Sequence, residues 1–186
     1  MTIRFINARL IDPETGADTL GELTVSSGVI IANSTQDADN TDNRFRGETS
    51  DAETIVDCMG KCLAPGIIDI GVKVCEPGER HKESYRSAGR AAAAGGVTTM
   101  VTRPDTSPAI DSPEVLEFAR RRANEAAPVN VLVMAALTKG RMGREMTEIS
   151  FLQDAGAVAF TDCDHVVRDT KVYSRALTYA RSLGAL

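Results

Sequence analysis

Apolar positions fall into two rhythms along the chain. Up to about residue 33 they come in short runs broken by turn chemistry, the habit of half-buried strands. Ile3-Arg4-Phe5-Ile6 predicts a strand and Asp12-Pro13-Glu14-Thr15-Gly16 a turn. Leu23-Thr24-Val25 and Val29-Ile30-Ile31-Ala32 flank Ser26-Ser27-Gly28, which predicts a hairpin. Residues 33–53 turn polar and acidic and are simplest as a solvated loop; a metal-binding loop would need the EF-hand glycine and terminal glutamate. Thr54-Ile55-Val56-Asp57 returns as a strand.

After Pro65 strands alternate with helices. Predicted strands are Ile67 to Val74, Val97 to Thr102, Val129 to Leu137 and Val158 to Thr161. Predicted helices are Glu83 to Ala94, ending at Gly95-Gly96, and one opened by Ser112-Pro113-Glu114 with Val115, Leu116, Phe118 and Ala119 on its apolar face. Two more follow, Glu148 to Ala155 and Lys171 to Leu183, the last with Val172, Ala176, Leu177 and Ala180 inward. Strands recurring at about thirty-residue spacing are the mark of βαβ units and a parallel sheet, whose strands are buried on both faces. Four such units fit an open doubly wound sheet or half of an eight-stranded barrel, and periodicity alone does not choose.

Composition narrows the function classes. With 42% hydrophobic and 25% charged residues the chain is of ordinary globular type, and no Trp with 4% aromatics leaves a core of Ala, Val, Ile and Leu. A net charge of -5 argues against nucleic acid or an anionic membrane as partner. The start shows no basic and apolar leader, and no apolar run reaches the roughly 18 residues of a membrane helix, so the cytoplasm is expected. The four cysteines, Cys58, Cys62, Cys75 and Cys163, lack zinc-knuckle spacing and read as reduced thiols. Ala92-Ala93-Ala94-Gly95-Gly96-Val97 leaves a helix and enters a strand, the reverse of a dinucleotide cradle. Arg120, Arg121 and Arg122 read as a solvated face near a helix C-terminus rather than a phosphate site.

Several segments, taken in order, resemble dihydroorotase and its relatives among the cyclic amidohydrolases. They are Leu63-Ala64-Pro65-Gly66-Ile67-Ile68-Asp69, Glu76-Pro77-Gly78 with His81-Lys82-Glu83-Ser84, Ala91 to Thr99, and Phe160-Thr161-Asp162. The resemblance implies an α/β fold: the first half of a (β/α)8 TIM-type barrel after a small N-terminal β-sandwich portion. The domains are then residues 1–62 and residues 63–186, the latter holding four β/α units and stopping before the fifth strand. The family would continue past Gly184-Ala185-Leu186 into a strand ending in another metal-ligating His. The expectation is therefore a truncated or proteolysed piece of a longer chain, ahead of a half-barrel completed by another chain.

The family's first barrel strand carries His-x-His for a catalytic zinc, and those positions here are Gly71 and Lys73. Strand alternation places both on one face, yet glycine has no donor atom and an ammonium has only hydrogens and a positive charge. Two substrate-binding positions also depart from the pattern. Cys75 stands where the family has Arg, and Asp105, in Arg103-Pro104-Asp105, where it has a carboxylate-binding Asn, so Asp105 is expected to repel dihydroorotate. Asp162 is left as a residual carboxylate of the metal site. Lys73 as a base or Schiff-base lysine and Cys75 as a nucleophile lack partner motifs, and His81 and His165 read as loop residues.

The resemblance thus implies a metal-site-deficient, non-catalytic dihydroorotase-like protein of pyrimidine biosynthesis. It would have no cofactor, assemble as a homo-oligomer and act as partner or assembly subunit of aspartate transcarbamoylase. The alternative is an active zinc-dependent cyclic amidohydrolase, a dihydroorotase or hydantoinase-like enzyme, with ligands beyond Leu186. A third reading is a ligand-binding barrel in which Lys73 and Arg103 contact an anion.

Overall fold

The computed structural model describes residues 1–35 and 53–186. They form two units, Met1–Pro65 and Gly66–Leu186. The expected acidic loop lies almost wholly outside the described residues; at its edges, Asn33 to Thr35 end one strand and Glu53 begins the next.

The first unit is a sheet of β1 (Thr2–Asp12), β2 (Ala17–Ser26), β3 (Val29–Thr35), β4 (Glu53–Asp57) and the short β5 (Cys62–Leu63). Its order is β3-β2-β1-β4, with β5 also paired to β1. β1 and β2 are antiparallel, as are β2 and β3, while β4 runs parallel to β1. The first turn is built by Asp12, whose carboxylate accepts from the Glu14 N–H at 3.0 Å and the Thr15 hydroxyl at 2.7 Å. The second is the predicted hairpin, with φ of 50° at Ser27 and 79° at Gly28, the positive pair that matches strand twist in a two-residue turn. β1 is longer than its first apolar run suggested, and its pairing is interrupted between Phe5 and Ala8.

The second unit is a parallel sheet in the order β6-β7-β8-β9: β6 (Ile67–Val72), β7 (Val97–Thr102), β8 (Asn130–Ala135) and β9 (Ala157–Phe160). Helices α1 (Tyr85–Ala94), α2 (Pro113–Ala126), α3 (Ile149–Asp154) and α4 (Thr170–Ser182) alternate with the strands. α1 packs on β7, α2 on β8 and α3 on β9. This is four consecutive β/α units of a (β/α)8 barrel.

The core lies between helices and sheet and joins Val74, Tyr85, Met100, Leu116, Ala119, Ala123, Val133, Ala135 and Leu152. Burying a side chain such as Leu116, which is 0% exposed, contributes about 1.5–3 kcal/mol. α1 begins at Ser84, whose hydroxyl accepts from the Ser87 N–H while Ser87 returns a bond to the Ser84 backbone.

Several expectations change in the folded chain. Ser112 precedes α2 but its hydroxyl caps no backbone N–H; it serves Glu114 instead and holds that carboxyl below its ordinary range. Phe118 lies outside the buried stripe of its helix, which runs through Leu116, Ala119 and Ala123. Phe118 carries the Arg121 guanidinium 5.9 Å from its ring centre.

Candidate functional site

The C-terminal ends of β6, β7 and β9 carry the residues singled out by the sequence. β6 does not reach them as a regular strand. Its pairing with β7 runs Ile70 to Val101 and then Val72 to Thr102, so Gly71 is an extra residue in a bulge, with φ of 94°. The expectation that residues 71 and 73 share a face rests on a period of two, and the bulge at Gly71 interrupts that period. Lys73 follows the last residue of β6, and the Arg103 N–H donates to the Val72 carbonyl at 2.9 Å as the last rung between the strands.

Lys73 and Arg103 converge on one carboxylate. Lys73 Nζ lies 2.9 Å from Asp105 Oδ2, and Arg103 Nη2 donates to the same oxygen at 2.9 Å. The Asp105 side chain is 2% exposed, that of Arg103 29% and that of Lys73 54%. Asp105 is therefore internally neutralised rather than a bare charge facing a substrate. The two cations that could have contacted an anion already hold an internal one. The hydrogen bond from Lys73 to Asp105, and then the carboxylate's charge, hold the ammonium above the ordinary lysine range. That is the wrong direction for a neutral base or a Schiff-base amine. Asp105 Oδ1 and Arg103 Nε are buried without a hydrogen-bond partner among the described residues.

Arg103 Nη2 also stands 3.9 Å from Asp164 Oδ1, which is bonded by Arg141. Cys163 lies against Arg103 with φ of 58°, and burial pushes its thiol up, away from a reactive thiolate. Cys75 is half-buried and its carbonyl accepts from the Glu79 N–H at 2.8 Å. His81 is exposed. His165 is also exposed, its Nδ1 2.9 Å from the Arg141 carbonyl, so it belongs to loop packing.

Asp162, at the end of β9, is buried and turned to Thr138: Oδ1 accepts from the Thr138 N–H at 2.9 Å and Oδ2 from its hydroxyl. Thr138 is itself fully buried and its hydroxyl oxygen accepts from the Gly143 N–H at 2.8 Å. The Asp162 carboxylate therefore anchors the loop that leaves β8.

The fold family implies a zinc here, and the residues present do not fit one. Gly71 lacks a donor atom, Lys73 is protonated against Asp105, and Asp162 is occupied by Thr138. Among the described residues no three His, Cys, Asp or Glu side chains gather as a ligand set.

Sequence reasoning did not single out Glu76 and its partner Arg122. Glu76 is 4% exposed, accepts from the Tyr85 N–H at 3.2 Å and from Arg122 Nε at 3.1 Å, and so ties the loop after β6 to α1 and α2. Arg122, read as part of a solvated face, is a structural counter-ion. The signal was the Glu76-Pro77-Gly78 motif, but the identity of a partner 46 residues away is invisible in the sequence.

Comparison with known proteins identifies the family and supports the fold. A family model described as Dihydro-orotase-like matches residues 60–186. A dihydroorotase of Wolbachia sp. subsp. Drosophila simulans (strain wRi) is 40% identical over 182 residues, covering 98% of this chain and 39% of that protein. A dihydroorotase-like protein of Pseudomonas aeruginosa is 37% identical over 180 residues, 97% of this chain and 40% of that protein. The L-hydantoinase of Arthrobacter aurescens superposes with a TM-score of 0.67 at 23% identity, over 85% of this chain and 32% of that one, a likeness of fold. The chain thus spans about two fifths of the length of the curated relatives it matches. With a matching family model over its whole barrel portion, this chain belongs to the dihydroorotase-like family.

Proposed function

We propose that this chain belongs to a non-catalytic dihydroorotase-like protein of pyrimidine biosynthesis that serves as partner or assembly subunit of aspartate transcarbamoylase. The observation that carries the reading is the ion pair of Lys73 with Asp105 at 2.9 Å, at a position where the resemblance to the family calls for a zinc-ligating imidazole. For a lysine to ligate a metal at pH 7 it must lose a proton held with a pKa near 10.4, a cost of roughly 4–5 kcal/mol before any coordination. Zinc generates a hydrolytic nucleophile only when protein ligands hold it and lower the pKa of its bound water to about 7. Without that hydroxide a cyclic amide meets no attacking group from these residues. The partnership rests on the resemblance to metal-site-deficient members of the family.

The test uses the intact protein. We expect substoichiometric zinc by elemental analysis, no hydrolysis of dihydroorotate or condensation of carbamoyl aspartate, and co-purification with aspartate transcarbamoylase. Stoichiometric zinc together with dihydroorotate turnover would overturn the reading in favour of an active cyclic amidohydrolase whose ligands come from residues after Leu186.

A further inference from the structure

The barrel mouth contains a carboxylate that needs a cation. Asp105 is almost wholly buried, and an unpaired charge in that position is strongly disfavoured. Lys73 comes from the end of β6 and Arg103 from the end of β7, and both reach the same Asp105 oxygen. The cluster lies just past the final backbone rung between the two strands, the Arg103 N–H to Val72 carbonyl bond. Arg103 also faces Asp164 in the loop after β9, where Arg141 adds a further positive charge. A divalent cation brought here would meet an ammonium and two guanidinium groups, and the nearby carboxylates Asp105 and Asp164 already have partners.

We propose that the Lys73 ammonium is the resident cation of this mouth: with Arg103 it neutralises Asp105, joins the ends of β6 and β7 as a bound metal would, and excludes divalent cations even where further donors come from residues outside this chain. The inference rests on the metal-free reading of the site and adds to it an active structural role for the residue that displaced the ligand. A lysine merely left behind by loss of function would be dispensable. A lysine serving as counter-ion to a buried carboxylate is not, and its loss is offset when the carboxylate is removed as well.

The experiment is thermal unfolding of the intact protein, with excess zinc or with EDTA, for the wild type, Lys73→Met, Lys73→Arg, Asp105→Asn and the double variant Lys73→Met/Asp105→Asn. The expected result is a wild-type midpoint unmoved by zinc or EDTA, and a drop of several degrees for Lys73→Met. Lys73→Arg should retain most of the stability, and the double variant should recover much of what Lys73→Met loses. If Lys73→Met does not fold, a double variant that folds carries the same conclusion. A Lys73→Met midpoint equal to wild type, a double variant no better than Lys73→Met, or a zinc-dependent rise in the wild-type midpoint would each overturn it. Turnover of dihydroorotate measured on the same samples separates the two claims. A zinc-insensitive protein that turned substrate over would sink the non-catalytic reading alone, and a zinc-stabilised protein without turnover would sink the resident cation alone.

Discussion

Gly71 holds a φ of 94° near the end of β6, a backbone state that residues with a Cβ enter at a cost of about 1–2 kcal/mol. Among the described residues nothing lies within 4 Å of a Cβ built there, so the cost of a substitution would be conformational rather than steric. Returning the missing imidazole is therefore not a simple repair. Gly71→His is expected to lower stability in denaturant by about 1–2 kcal/mol and to leave zinc content unchanged, with Gly71→Ala losing a similar amount. Undiminished stability in both variants would show that this stretch relaxes to a regular strand. The neighbouring carboxylates each have a named partner: Asp105 has Lys73 and Arg103, Glu76 has Arg122, Asp162 has Thr138 and Asp164 has Arg141.

Among the elements, α1 illustrates how packing overrides propensity. Its C-terminal end is alanine-rich, yet Gly89 sits on the buried face with Tyr85 and Ala88. An added Cβ would meet Pro128 Cδ at 2.7 Å and Ala127 Cβ at 3.1 Å, in the segment that enters β8. Intrinsic helix propensity favours Gly89→Ala by about 1 kcal/mol. Both obstructing atoms belong to short, rigid residues, so we expect the overlap to prevail and the variant to lose about 1–3 kcal/mol in chemical denaturation. A stabilised variant would mean that α1 shifts freely on the sheet. The loop between β8 and α3 is likewise held by contacts, with Thr138 and Asp162 bonded twice across a separation of 24 residues.

For the molecule as a whole, the buried phenol of Tyr85 links the core to alkaline pH. Burial pushes its pKa up from 10.0 to about 12, partly opposed by a hydrogen bond with Thr102. The unfolded chain releases this proton near pH 10 while the folded chain keeps it to about pH 12. In that window the unfolded state binds fewer protons, so the contribution is complete below pH 10 and fades as pH rises towards 12. Tyr85→Phe should remove roughly 2–3 kcal/mol of pH dependence from denaturation curves across this range, read as the difference from wild type. Equal slopes for the two proteins would refute the assignment.

The order of strands and helices, the two-residue hairpin and the want of a metal-donor atom at residues 71 and 73 could all be read from the sequence. They are properties of neighbouring residues: periodicity, turn preference and the atoms a side chain owns. Folding alone decided the rest. No alternation rule anticipates the bulge at Gly71, because a bulge is an irregularity in pairing with β7. Nor could local pattern assign Asp105 to Lys73 and Arg103, Arg122 to Glu76 or Thr138 to Asp162, since burial pairs charges and donors across strand ends that only the tertiary arrangement brings together.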